Sequence, residues 1–195
     1  VPTTAGTGSE AQSYALITHP SDHRKMACGA PGARFLEVVL DPEVTATVPR
    51  HVEFAAGFAA VAHAVESYVS TRANPVSRMY AREAFRLLTT HLELALSDPT
   101  DRESAGRMLL GAHLAGAAIE ASMLGAAHAC ANPLTARHDL IHGIAVGLML
   151  PHVVAFNEPV AAGDYTDLCR TAGAGASPVP GLRPPWRPVP LHPPP

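Results

Sequence analysis

Beyond about residue 50 the apolar positions recur at helical spacing, which predicts helices over 51–70, 75–96, 101–131 and 143–155. Breaks are expected at Asn74-Pro75, Asp98-Pro99 and Asn132-Pro133, since proline disfavours helical backbone in the residue before it. In the second segment Tyr80, Phe85, Leu87, Leu88, Leu92 and Leu96 form an apolar stripe of the kind that packs a core. Phe58 to Ser70 contains neither Gly nor Pro, so position 59 stands one helical turn before His63 and on the same face. The stretch Ala112 to Ala131 is rich in Ala, Leu, Ile and Met and predicts a buried helix carrying His128 near its end. His142 then falls at the start of the next helix, near Gly143.

The first 48 residues follow another pattern. Short β-branched runs, Ser13 to Thr18 and Phe35 to Leu40, alternate with Gly, Pro and Asp turns and predict a hairpin and a strand closed by Asp41-Pro42. The fold class expected is therefore mainly α, with a short β segment in front. Its divisions are 1–48, 49–175 and 176–195. The last of these follows from composition: nine of the nineteen prolines lie between Ser177 and Pro195, and a proline-rich segment without amide donors predicts a disordered tail.

Length and charge narrow the function. A chain of 195 residues can bury a substantial single core. With 14 basic and 17 acidic residues, a net charge of -3 and no Lys/Arg-rich run, nucleic acid is not an expected partner. Cys28, Cys130 and Cys169 are odd in number and form no C-x-x-C pair, which fits a reduced, cytoplasmic setting, with Cys130 expected as a small core filler. The most apolar stretch, Gly143 to Phe156, is shorter than a membrane span and contains Pro151, so no membrane association is expected.

Eleven histidines remain to be explained. Taken singly, each reads as a surface or hydrogen-bonded core residue, and His19, His23, His51, His91, His113, His138 and His192 keep that reading; His152 is expected to be structural or substrate-adjacent. His63, His128 and His142 differ, because they sit at helix positions that can converge if the helices pack together. Imidazole suits iron, zinc, copper and nickel alike, so such a set defines a site without naming its metal. Glu66, three residues after His63, is expected as a solvated or buried structural partner. The run Thr3-Thr4-Ala5-Gly6-Thr7-Gly8 combines hydroxyls and glycines that suit close approach to a phosphate or ribose.

These segments resemble the iron-containing (group III) alcohol dehydrogenase family from about Pro2 to about Gly173. Pro2-Thr3-Thr4-Ala5-Gly6-Thr7-Gly8-Ser9-Glu10 is similar to that family's nucleotide-contacting loop, and Gly57 to Tyr68 to its G-x-D-A-x-x-H-A-x-E helix. His128 through Asn132-Pro133-Leu134, with His142-Gly143 and Leu150-Pro151-His152, is similar to its H-x-x-x-H-P-L, P-H-G and L-P-H run. The resemblance implies a helical metal-binding domain of the dehydroquinate synthase-like type. Residues 1–48 would be the remnant of a dinucleotide-binding domain, and 49–175 the metal and substrate domain. It implies three metal ligands, His63, His128 and His142, for Fe2+ or Zn2+, while the family's aspartate ligand lands on Ala59. Asn132 stands at the position of a catalytic-site histidine. Thr3, Thr4, Gly6, Thr7 and Lys25 would contact NAD or NADP.

The function so implied is metal-dependent, NAD(P)-linked oxidation of a small alcohol or reduction of an aldehyde, in a homo-oligomer. The chain contains no G-x-G-x-x-G, and the resemblance implies a fragment lacking the N-terminal nucleotide-binding part and the usual C-terminus, with impaired activity. Two alternatives stand beside it: a non-catalytic helical fragment or association module, and a metal-independent enzyme of the maleylacetate reductase type, which the alanine at position 59 makes conceivable.

Overall fold

The computed structural model describes residues 1–21 and 25–173. The predicted proline-rich tail lies outside the described residues, as do His23 and His192. Two strands, β1 (Tyr14–Thr18) and β2 (Lys25–Gly29), pair antiparallel with Tyr14 opposite Gly29 and Thr18 opposite Lys25. Five helices follow among the described residues: α1 (Arg50–Val69), α2 (Pro75–Ser97), α3 (Arg102–Ser122), α4 (Ala126–His138) and α5 (His142–Thr171). The fold is thus mainly α with a small β hairpin in front, as the sequence pattern predicts.

The second helix starts where its chemistry says it should. Asn74 accepts hydrogen bonds from the amides of Val76 and Ser77, the Ser77 hydroxyl answers the Asn74 amide, and Pro75 occupies the first turn, where no amide is needed. Its Phe85, Leu87 and Leu88 are buried, in keeping with the apolar stripe. α1 is buried nearly all round, from Gly57 through Tyr68, because small residues let α2, α3 and α5 pack closely around it. This central helix carries His63 and Glu66.

The structure departs from the sequence pattern at four places. The Phe35 to Leu40 run is not a strand: β1 and β2 pair only with each other among the described residues, and Phe35 and Leu36 are exposed. A β-branched run without a neighbouring edge has no ladder to join. The helix expected over 101–131 is two helices meeting at an angle of 106°, broken at Met123 to Gly125. Met123 has φ 64° and Gly125 is extended, while Glu66 Oε1 accepts the Ala127 amide at 2.6 Å and so seats the new helix start. Tertiary capping decides this turn.

Conversely, Asn132-Pro133 does not break α4, and α5 continues through Pro151 and Pro159 to Thr171. Pro133 deprives only the Ala129 carbonyl of a partner, and Ala129 is exposed, so water can serve it. The end of α5 is held by packing: Tyr165, Leu168 and Cys169 are buried, Arg78 pairs with Asp164 at 2.8 Å, and Arg82 and Tyr68 meet Asp167. At 30 residues α5 is long and apolar enough to cross a membrane by length and composition, unlike the shorter segment expected. Within the domain, its Gly143, Ala145, Val146, Leu150 and Val154 are buried, and the helix packs on α1 and α4.

Candidate functional site

Three helices bring one imidazole each to a common place. His63 lies mid-α1, His128 is the third residue of α4, and His142 is the first residue of α5. The His63 and His128 ring centres are 4.7 Å apart and stacked at 23°, and those of His128 and His142 are 5.5 Å apart at 53°. Packing of backbone on backbone fixes this meeting. A Cβ on Gly143 would lie 2.0 Å from the Ala55 carbonyl oxygen, so only glycine lets α5 begin against α1 and place His142 there.

The hydrogen bonding of His128 fixes the direction of its ring. Glu66, buried in α1, accepts from His128 Nδ1 with one oxygen and from the Ala127 amide with the other. In the neutral ring this contact places the proton on Nδ1, facing the carboxylate, and the lone pair on Nε2. His128 Nε2 and His63 Nδ1 are both buried without a hydrogen-bond partner among the described residues. Burial, then the charges of His128 and His142, hold the His63 pKa well below the usual imidazole range, only partly offset by a backbone hydrogen bond with Gly6. Neutral imidazole is the form that donates a lone pair.

Three imidazoles on one tetrahedral ion would place their ring centres about 5 Å apart, close to the 4.7 and 5.5 Å that separate His128 from His63 and from His142. As the rings stand, no group of three or more His, Cys, Asp or Glu side chains among the described residues is arranged to hold an ion. The stacked His63 and His128 rings need to rotate to do so. The donor set and its orphaned nitrogens fit a divalent metal; the rotamers do not yet present it.

The histidines line a cavity of about 510 Å³ together with Ala59, Thr4, Gly6 and Thr7. The threonine loop is held there by the helices. A Cβ on Gly6 would meet Ala56 at 2.6 Å and one on Gly116 would meet the Gly8 carbonyl at 2.2 Å, while Gly8 itself has φ 59°. Ser13 is bound through amide and hydroxyl to Glu120, at 3.0 and 2.7 Å, and Glu10 lies 3.2 Å from His113. Gln12, Tyr14, Ile119 and Leu124 also line the cavity, and no motif marked them in the sequence.

Other candidates fall elsewhere. Thr3 is exposed and outside the cavity lining, and Lys25 opens β2 with its side chain outside the described residues. Asn132, one turn after His128 on α4, does not line the cavity, and His152 is exposed on α5. Cys130 is exposed rather than a core filler, because it faces outward from the short α4. His91 bonds Ser104 at 3.2 Å, a structural role. Glu66 was visible in the sequence as the one acid between Phe54 and Val69 of α1, but its partner His128 was not.

The fold is that of the helical half of the dehydroquinate synthase-like and iron alcohol dehydrogenase architecture. Residues 53–179 match the C-terminal part of the Fe-containing alcohol dehydrogenase family, and this chain belongs to that family. It is 36% identical over 155 residues to alcohol dehydrogenase 4 of Schizosaccharomyces pombe, covering 80% of this chain and 37% of that protein. With the NAD-dependent methanol dehydrogenase of Bacillus methanolicus it shares 34% over 157 residues, 80% of this chain and 41% of that one. The crystal structure of a 1,3-propanediol oxidoreductase superposes with a TM-score of 0.85 at 30% identity, over 92% of this chain and 48% of that one. The chain thus spans less than half the length of these relatives.

Proposed function

We propose that residues 49–175 form the metal and substrate domain of an NAD(P)-linked alcohol dehydrogenase or aldehyde reductase acting on a small alcohol or aldehyde. His63, His128 and His142 would hold Fe2+ or Zn2+. The observation that carries this reading is His128: its Nδ1 is fixed by buried Glu66 while its Nε2 is buried and unpartnered beside two more imidazoles. A metal held there by His63, His128 and His142 would supply polarisation of an alcohol or carbonyl oxygen, and a nicotinamide would supply or accept the hydride.

The chain's own residues prepare that place. Glu66 fixes the tautomer and direction of His128, and burial keeps His63 neutral. Ile119, Leu124 and Ile141 give the cavity apolar walls that limit water. Thr4, Gly6 and Thr7 bring hydroxyl and backbone groups to its mouth, which supports the threonine loop as the cofactor-facing edge; Thr3 and Lys25 stay in the proposal on the family motif alone. Asn132 can hydrogen-bond but cannot carry a proton at neutral pH, so proton transfer would pass through another group or water. Residues 1–48 would belong to the dinucleotide-binding half, and the working protein would be a cytoplasmic homo-oligomer.

Zinc titration of the metal-free chain tests the proposal, with His128→Ala as control. One ion bound per chain, and none in the control, is the expected result; equal binding by both overturns the reading. A second reading, a helical association module without catalysis, is favoured by Ala59 in place of a ligand. It predicts that the chain binds neither metal nor nicotinamide. A metal-independent reductase would bind nicotinamide with no effect of chelators.

A further inference from the structure

One face of α1 lays an apolar floor in the histidine cavity. Val52, Ala55, Ala56 and Ala59 recur at helical spacing, all four line the cavity, and the row runs on to His63. From Val52 to Ala59 it extends about 10 Å, the length of roughly eight carbons in a straight chain. Ile119, Leu124 and Ile141 line the same space, and no Lys, Arg, Asp or Glu does so among the described residues. Where the row reaches the imidazoles, the chemistry changes. His63 and His128 are only 6% and 5% exposed, and His63 Nδ1 and His128 Nε2 are buried without a partner among the described residues. With the proton of the neutral His128 ring on Nδ1, facing Glu66, its Nε2 can only accept a hydrogen bond.

We propose that this cavity binds an unbranched, uncharged primary alcohol of about four to eight carbons, its alkyl chain along Val52, Ala55, Ala56 and Ala59 and its O–H donated to His128 Nε2, in the metal-free chain itself. As a substrate class this rests on the alcohol dehydrogenase reading above; as a binding site it does not. The orphaned nitrogen selects the head group. A hydroxyl brings the proton that Nε2 lacks, whereas an ether, an aldehyde or a carboxylate sets an acceptor against an acceptor. The apolar floor selects the rest, since a carboxylate or ammonium group would be buried there without a counter-charge. Ala59 decides how near the chain comes to the imidazoles, because its methyl continues the row where a larger or charged side chain would end it. The His63 ring, stacked on His128, turns aside to admit the hydroxyl. The cavity, about 510 Å³, has room for the whole chain.

Titration of the 195-residue chain, held in chelator, with 1-butanol, 1-pentanol and 1-hexanol tests this, followed by ligand NMR and by the ¹⁵N signals of the imidazoles. Methyl pentyl ether, an isomer of 1-hexanol without an O–H, and hexanoate and hexylammonium are the comparison ligands. Affinity should rise about threefold or more with each added methylene. The ether should bind about tenfold more weakly than 1-hexanol, and the two charged chains more weakly still. 1-Hexanol should shift the His128 Nε2 signal, and Ala59→Leu should abolish its binding. Affinities indifferent to chain length overturn the groove. An ether as tight as 1-hexanol, or a His128 Nε2 signal that does not move, overturns the hydroxyl contact, and equal binding of hexanoate or hexylammonium overturns the uncharged class. 1-Hexanol binding undiminished in folded Ala59→Leu overturns the placement. A chain that takes up zinc but no 1-hexanol overturns the groove and leaves the histidine reading standing; one that binds 1-hexanol but no zinc overturns the metal reading and upholds the groove. The comparison among ligands on the wild-type chain does not depend on the variant folding.

Discussion

Glu66 joins His128 to the start of α4: one carboxylate oxygen takes the imidazole Nδ1–H and the other takes the Ala127 amide. A single buried acid therefore caps a helix and aims a ring. Because the two roles share one group, they should fail together.

Glu66→Ala should leave the Ala127 amide and His128 Nδ1 unpaired in the core, lowering stability by about 1–3 kcal/mol. Metal affinity should fall about 10- to 100-fold as the ring loses its orientation. Glu66→Gln keeps one acceptor and should fall between the two. Urea unfolding and zinc titration of the three proteins measure both effects. A loss of stability with unchanged affinity would confine Glu66 to capping.

The elbow between α3 and α4 turns on Met123, at φ 64° and ψ 179°, a region that side chains avoid. Its amide still bonds the Ile119 carbonyl at 2.7 Å, so the conformation is imposed by the helix end and the Glu66 cap together. Met123→Gly should raise stability by roughly 1 kcal/mol, since the side chain is already 39% exposed and little packing is lost. Met123→Val should lower it. Urea midpoints decide this, and a destabilised glycine variant would show that the Met123 packing outweighs the backbone strain.

That elbow also shows where local sequence signals stop. Apolar spacing placed α1 and α2 within about a residue of their ends, because Pro49 precedes α1 and the Asn74 cap with Pro75 opens α2. Pro133 looked like a stop and is not, and α5 runs on past the expected end through Pro159, since packing around Leu134, Leu150 and Tyr165 outweighs the hydrogen bonds lost at the prolines. The break at Met123 had no such punctuation, because its cap comes from Glu66, far away in sequence. The three histidines were legible from motif spacing. The absence of cavity acids was not, because it depends on which faces the helices turn toward one another.

Protonation of His63 gives a signed test. Burial and the neighbouring His128 and His142 lower its folded-state pKa well below the unfolded value near 6.5, so the unfolded chain binds more protons as pH falls through that value. The contribution to stability is fully present above about pH 6.5 and is lost progressively below it, by at most about 1.4 kcal/mol per pH unit. Paired acids such as Glu120 and Asp167, whose pKa values are lowered by hydrogen bonds from Ser13 and from Tyr68 and Arg82, lose their contributions at lower pH. Unfolding free energies of the metal-free chain, held in chelator, should therefore fall between pH 7 and pH 5. His63→Gln, which cannot protonate, should flatten that part of the curve and leave the steeper loss at lower pH in place. Parallel curves for the two proteins between pH 7 and pH 5 would mean that His63 opens to solvent or finds a proton acceptor in the folded state.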